Sequence, residues 1–245
     1  MKILQLSSGI FLVFIALMKF KVVTFGIDEG LVQYLFNASL MLTAFSVIFP
    51  LVSSIKLKMA DVKDEERLTK ILNEIDPESE TEVFVSEKFM KNSAGALYRK
   101  SSLVIVCGKS LLNSLNDKQL KFLLAHEYFH IKKNHLLKNV FSFVFVLSGV
   151  PIALLIATPF FIPKIPIAPV LIFSFLTYVV SFVLHFILSQ RREFNADKFA
   201  SSIVGSSTAK EVLIILKEKN LIKEKSYNLF ETHPSIKKRI EKLAT

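Results

Sequence analysis

The sequence predicts an α+β protein, mostly helical, with about four transmembrane helices and a water-facing domain that holds a small β-sheet. Three observations carry this expectation. The 245-residue chain is 51% hydrophobic, with a mean hydropathy of +0.46, too apolar for an ordinary soluble domain. Its 21% charged residues are too many for a chain lying wholly in a bilayer. Four stretches are long and apolar enough to cross a bilayer, which takes about 20 residues, and a soluble-looking segment lies between the second and the third.

In chain order, the apolar stretches are Ile3–Phe25, Leu31–Ile55, Leu136–Ile162 and Ile165–Leu188. The first lacks a small-residue cleavage site and is followed at once by the second, which argues against a signal peptide. Pro159, Pro163, Pro166 and Pro169 mark a turn between the last two. Lysine and arginine set the orientation. Lys56 and Lys58 follow the second stretch, Lys132 and Lys133 precede the third, and Arg191 and Arg192 follow the fourth. Only Lys164 sits in the turn between the last two. Both termini and the intervening domain are therefore expected in the cytoplasm. Lys19 and Lys21 run against this pattern and are partly offset by Asp28 and Glu29.

Four regions follow: two N-terminal transmembrane helices over 1–57, a first cytoplasmic segment over 58–135, a transmembrane hairpin over 136–190 and a second cytoplasmic segment over 191–245. In the first cytoplasmic segment, Asp61–Ile75 reads as an amphipathic helix with Leu68, Ile71, Leu72 and Ile75 on one face. Thr81–Ser86 and Ala96–Val106 read as strands, with a turn at Asn92–Gly95. Arg192–Ile203, Ser207–Lys219 and Pro234–Leu243 read as helices.

The net charge of +10 clusters at the ends of the apolar runs, which suits anionic headgroups. No finger, RNA-recognition or basic-helix pattern accompanies it, and this excludes nucleic acid as a partner. The single cysteine, Cys107, cannot form an internal disulfide and reads as a small core residue.

The run LLAHEYFHIKKNH carries chemistry. Four residues separate His126 from His130, so on a helix both rings point the same way, one turn apart, and can close on one zinc ion. Glu127 follows the first histidine and can reach a water held by that ion, taking its proton and passing it to a leaving amine. This pattern reads as a zinc protease if it lies on a helix and a third ligand exists. Asn116 and Gln119 give a capping box ahead of Leu120, and Leu120, Leu123, Leu124 and Tyr128 recur at helical spacing. The best third ligand is Glu193, at the end of the fourth apolar stretch. An antiparallel hairpin of the third and fourth stretches would bring it beside the histidines. Asp197, four residues on, shares its face and can accept the outer N–H of a ligating histidine. His135 lies five residues past His130, about 140° round a continuous helix, and reads as an interfacial residue. His185, inside the fourth stretch, reads as a packed neutral histidine.

The combination HEYFH, hydrophobic hairpin, EFNAD and HPSIKKRI resembles the HtpX and CAAX-prenyl-protease family of membrane zinc metallopeptidases. The likeness runs from about Asn92 onward, and the two leading apolar stretches match the HtpX branch. It implies a gluzincin-like catalytic domain that binds one Zn2+ through His126, His130 and Glu193. It implies Glu127 as general base, Asp197 in support, and His233 or Arg239 steadying the developing charge. It also implies a multi-pass cell-membrane protein whose active site faces the cytoplasm, with the lipid bilayer and polypeptide substrates as partners, membrane proteins among them. Quality control of misfolded chains is the expected role. An Asn-Ala pair expected ahead of the family's edge strand reads Asn92-Ser93-Ala94 here. Substrate is expected to bind as an added strand beside Ser102, Leu103, Val104, Ile105 and Val106. The alternatives are a prenyl-protein protease, which the small number of apolar stretches disfavours, and a non-catalytic membrane scaffold or chaperone, which an intact Glu127 disfavours.

Overall fold

The computed structural model describes residues 2–24, 29–30, 32–33, 35–37, 39–40, 43–44, 48, 62–88, 90–99, 102–144, 167–219, 221 and 233–244. Its elements in chain order are α1 (Lys2–Lys19), β1 (Val62–Asp64), α2 (Glu66–Asn73), β2 (Val83–Ser86), β3 (Ala94–Arg99), β4 (Ser102–Gly108), α3 (Lys109–Ser114), α4 (Asp117–Lys132), α5 (His135–Val144), α6 (Ile167–Val204), α7 (Ser206–Glu218) and α8 (Ile236–Lys242). The chain divides into two compact units, one made of residues 1–51 and 137–185, the other of 52–136 and 186–245.

In the first unit, Ile15, Met18 and Val32 form a small buried cluster, and Lys19 lies over the Phe36 ring at 4.0 Å. Lys21 pairs with Glu29 at 2.7 Å, both exposed. His185 is buried and its Nδ1 lies 2.7 Å from the Ser142 hydroxyl, as a packed histidine would. Ile10, Phe11, Val13 and Phe14 of α1, and Phe175, Leu176, Val179 and Val180 of α6, are large apolar side chains left exposed.

Among the described residues, no helix is long and apolar enough to cross a membrane. The expectation is of about four transmembrane helices, and the described residues show none that meets that length and apolarity. The stretches at 31–55 and 136–162 fall mostly outside the described residues. Those at 3–25 and 165–188 coincide with α1, which ends at Lys19, and with the first half of α6. α6 does not stop where the apolar run stops: it continues through Arg191, Arg192 and Glu193 to Val204, 38 residues in all.

The second unit is built around α4. Asn116 caps this helix: its side chain accepts from the Gln119 N–H while the Gln119 side chain accepts from the Asn116 N–H, the capping box the sequence predicts. Leu120, Phe122, Leu123, Leu124, Ala125 and Tyr128 are buried, so α4 is enclosed on most of its circumference and is the centre of the domain. Leu68 and Leu72 of α2, Val212 and Leu213 of α7, Ala200 of α6 and Ile236 of α8 share its core.

The sheet has the order β1-β2-β4-β3, with β2 parallel to β4 and the other pairs antiparallel. Val83, Val85, Ile105 and Cys107 face the helices, while Phe84, Val104 and Val106 form a second cluster with Met90 and Leu97 on the other face. Burial on both faces explains why β4 reads as an unbroken apolar run. The expected helix over Asp61–Ile75 is shorter, because Val62–Asp64 pairs with Phe84–Ser86 as an edge strand before α2 begins. The expected strand Ala96–Val106 is two strands of a hairpin, Leu97 facing Val104 and Tyr98 facing Leu103. Consequently Ser102–Val106 lies on β4, an inner strand flanked by β2 and β3, and among the described residues β3 is the sheet's edge on that side.

Two glycines place the site's surroundings. A Cβ on Gly108 would stand 2.2 Å from the carbonyl oxygens of Met90 and Lys91, so glycine lets the segment before β3 close over the end of β4. Gly205 has φ +90°, and this left-handed residue separates α6 from α7.

Candidate metal centre

α4 and the 186–204 part of α6 bring the donors together. Ala196 and Ala200 on α6 are fully buried, and their small side chains permit a close approach to α4. The Phe129 and Phe199 rings meet at 5.0 Å between centroids. This places the Nε2 atoms of His126 and His130 3.1 Å apart, with Glu193 Oε2 3.5 Å from the first and Glu193 Oε1 3.3 Å from the second. The three donor atoms all lie within 4.8 Å of one another. A tetrahedral ion at about 2.0–2.1 Å from each donor would set them about 3.3–3.4 Å apart, so the triangle has the size zinc needs. Two imidazoles and a carboxylate are also the donor chemistry zinc takes in catalytic sites. Glu193 Oε2 is buried without a hydrogen bond. His233 Nδ1 lies 2.9 Å from it, at ion-pair distance but out of hydrogen-bond alignment. An orphaned carboxylate oxygen aimed into such a triangle fits a cation site.

A cavity of about 170 Å³ opens onto this triangle. His126, Glu127, Glu193, His233, Arg239 and Asn92 are among its lining residues. Asp197 does not line it. Its Oδ1 accepts from His126 Nδ1 at 2.9 Å, on the far side of the ring from the triangle. Arg239, itself buried, donates from Nε to Asp197 Oδ2 at 2.7 Å and from its terminal nitrogen to Oδ1 at 2.5 Å. Sequence reasoning took Arg239 as a charge-steadying group, whereas its guanidinium is engaged in this bidentate pair.

Residues 64–245 match the pattern of Peptidase family M48. The chain belongs to peptidase family M48. Among its relatives, "Protease HtpX" of Wigglesworthia glossinidia brevipalpis is 30% identical over 180 residues. That match covers 59% of this chain and 60% of that protein, so the chain spans only about 60% of the relative's length. The crystal structure of S. mikatae Ste24p is similar with a TM-score of 0.59 at 17% identity, over 96% of this chain and 67% of that one. At that identity the likeness is one of fold. M48 is a family of metallopeptidases, and HtpX is among this chain's relatives within it.

The electrostatics of the M48 centre follow from burial and partners. Burial works against a charged His126 ring, but the hydrogen bond to Asp197 and the nearby Glu193 carboxylate outweigh it and raise its pKa to about 10. Burial, reinforced by the neighbouring His126, lowers His130 to about 3, which keeps its lone pair available. Burial raises the Glu127 carboxyl. Glu193 stays well below its ordinary value: burial opposes this, while His126 and His233 hold it down. Asp197 falls to about 2, with burial opposing and Arg239 prevailing. His233, 71% exposed at the rim, is raised by its closeness to Glu193. Cys107 is a core residue whose thiol burial pushes up to about 12, as an inert structural cysteine should be.

All of the sequence-predicted site residues except the expected substrate strand therefore come together in the second unit. Sequence reasoning missed His135. It is buried, and its Nδ1 lies 2.8 Å from His130 Nδ1. It also left the role of Asn92 open, and that residue lines the cavity.

Proposed function

We propose that this chain is a zinc-dependent endopeptidase held in a cell membrane, its centre facing the cytoplasm, which cuts polypeptides, misfolded membrane and cytosolic proteins among them. The observation that carries the proposal is the His126–His130–Glu193 triangle with Glu127 on the wall of the same cavity. M48 membership and a relative described as a protease support it. The exposed apolar side chains of α1 and the first half of α6 support the lipid contact, and the basic flanks support the orientation.

When bound, zinc polarises the scissile carbonyl and lowers the pKa of a water toward 7, by the usual estimate of about 7. The rest falls to this chain's own residues. Glu127, whose pKa burial raises, accepts a proton on its carboxylate oxygen and returns it to the leaving amine nitrogen. Asp197 holds the proton on His126 Nδ1, so that Nε2, on the cavity side, is the nitrogen left to a metal once its own proton is displaced. Arg239 clamps Asp197 from behind. His233, whose pKa its closeness to Glu193 raises, lines the same cavity and can donate where the carbonyl oxygen gains charge.

Substrate adds to β3. The Gly108 N–H donates to the Ser93 carbonyl at 2.9 Å, which makes 93 and 108 a hydrogen-bonded pair of the antiparallel ladder. By alternation, Gly95, Leu97 and Arg99 also bond inward to β4. Ala94, Ala96 and Tyr98 turn their N–H and C=O groups to the open edge, and Ala94 lines the cavity. An extended peptide paired there would cross the donor triangle.

The test is metal analysis and hydrolysis of an unfolded polypeptide such as casein by the purified full chain in detergent. The expected result is one zinc per chain and cleavage that a chelator abolishes. A zinc-loaded protein that cuts no polypeptide would overturn the peptidase reading.

A further inference from the structure

We propose that His135 is a positioning residue for the candidate ligand His130, fixing its tautomer and ring angle as Asp197 does for His126. This rests on the zinc reading above. In a continuous helix His135 would point about 140° away from His130. The helix is not continuous: α4 ends at Lys132, and Asn134 adopts φ +52°. A left-handed asparagine at this place ends the helix and redirects the chain. α5 then opens at His135 itself. The reversal swings the His135 ring back against His130, with centroids 5.0 Å apart, planes at 65° and the two Nδ1 atoms 2.8 Å apart. Phe129 packs on the edge of His135 at 5.4 Å, and the residue is 6% exposed, so the ring is held on more than one side.

The tautomers follow from the geometry. His130 turns Nε2 into the donor triangle, 3.3 Å from Glu193 Oε1. If Nε2 offers its lone pair to a metal, the proton of the neutral ring sits on Nδ1. The atom facing that proton is His135 Nδ1, which must then accept, so His135 carries its own proton on Nε2. The centre is thus asymmetric: His126 is backed by a carboxylate and His130 by a neutral imidazole.

The experiment compares zinc dissociation constants, by chelator competition, and cobalt(II) ligand-field spectra for the parent chain and three variants. His135→Leu keeps bulk and removes the acceptor. His135→Asn places an amide oxygen about where Nδ1 was. His135→Gln carries its amide one bond too far. The expected result is zinc binding about 10–100-fold weaker in His135→Leu, the usual loss for such a supporting partner, with a changed cobalt spectrum. His135→Asn should bind close to the parent. If His135→Leu binds as tightly as the parent with the same spectrum, or if Leu and Asn weaken binding equally, the positioning role is overturned. Should His135→Leu fail to fold, the Asn–Gln pair decides: a weaker Gln variant supports the role, and equal affinities overturn it. A parent chain that takes up neither metal would sink the zinc reading itself, whereas tight binding by parent and variant alike would sink only the His135 assignment.

Discussion

Glu193 and Asp197 stand one turn apart on α6 and meet opposite nitrogens of the same imidazole. Glu193 Oε2 lies 3.5 Å from His126 Nε2, and Asp197 Oδ1 lies 2.9 Å from His126 Nδ1. One helix therefore supplies both a candidate ligand and the group that orients another ligand. The two carboxylates differ in what they face: Glu193 has an orphaned oxygen at the cavity, while Asp197 is fully engaged.

That difference orders their loss. Glu193→Ala removes one of three donors and should abolish tight zinc binding. Asp197→Ala should weaken it about 10–100-fold. Metal content after dialysis against a weak chelator measures both. If Asp197→Ala strips the metal and Glu193→Ala keeps it, the roles are reversed.

Glu127→Gln leaves the donors untouched and should keep zinc. Without the proton acceptor, turnover of an unfolded substrate should fall by at least about 10²–10⁴-fold. A variant as active as the parent would remove Glu127 from the mechanism.

Metal affinity should rise steeply with pH. The metal-free His126 ring keeps its proton up to about pH 10, so an entering ion must displace that proton at any neutral pH. Zinc binding should then tighten about tenfold per pH unit through the range below 10. Chelator competition at several values between about pH 6 and 9 reads this slope, taking the ordinary histidine value of about 6.5 as the contrast. A plateau above about pH 7 would show an ordinary imidazole.

Arg239→Met leaves the buried Asp197 carboxylate with His126 alone as its charged partner, and should destabilise the fold by up to about 3–5 kcal/mol. The double variant Asp197→Leu/Arg239→Met should recover most of that loss in thermal unfolding while still binding zinc weakly. With Asp197 depressed to about 2, the pair's contribution is complete above the ordinary carboxylate value of about 4 and is lost as pH falls toward 2. Full stability in the single variant would mean that the pair contributes nothing.

Proline at Ala96 removes an N–H that points to the open edge of β3 and leaves the β3–β4 ladder intact. Ala96→Pro should raise KM for peptide substrates with zinc content unchanged. Gly95→Pro, which strikes an inward N–H, should instead destabilise the domain. Equal KM in the Ala96 variant and the parent would exclude substrate pairing at this edge.

The site was more legible in the sequence than the sheet, and the reason is range. His126, Glu127 and His130 are set by helical period alone, and Asn116 with Gln119 marks where that helix begins. Glu193 was found from the antiparallel hairpin that the apolar stretches imply, and Asp197 because it shares the helical face of Glu193. Strand order is not local: nothing in Ser102–Val106 says that β2 and β3 flank it, and its double-faced burial made an inner strand look like a candidate edge. Arg239 and Asp197 are 42 residues apart, and their pairing cannot be read from spacing. His135 was misplaced for a different reason. Its direction was computed on an unbroken helix, and one left-handed asparagine resets the phase.

The second unit is drawn from two separated stretches of chain, 52–136 and 186–245, and this bears on biosynthesis. A ribosome delivers His126, Glu127 and His130 long before Glu193, and Asp197 before the Arg239 that clamps it. The nascent chain therefore holds two of the three donors and the base with no means of closing on a metal. If the chain is the peptidase proposed above, this order of synthesis would keep it inert until Glu193 and Arg239 have been made and the last segment has folded back onto α4, sparing the growing polypeptide and its neighbours from premature cutting.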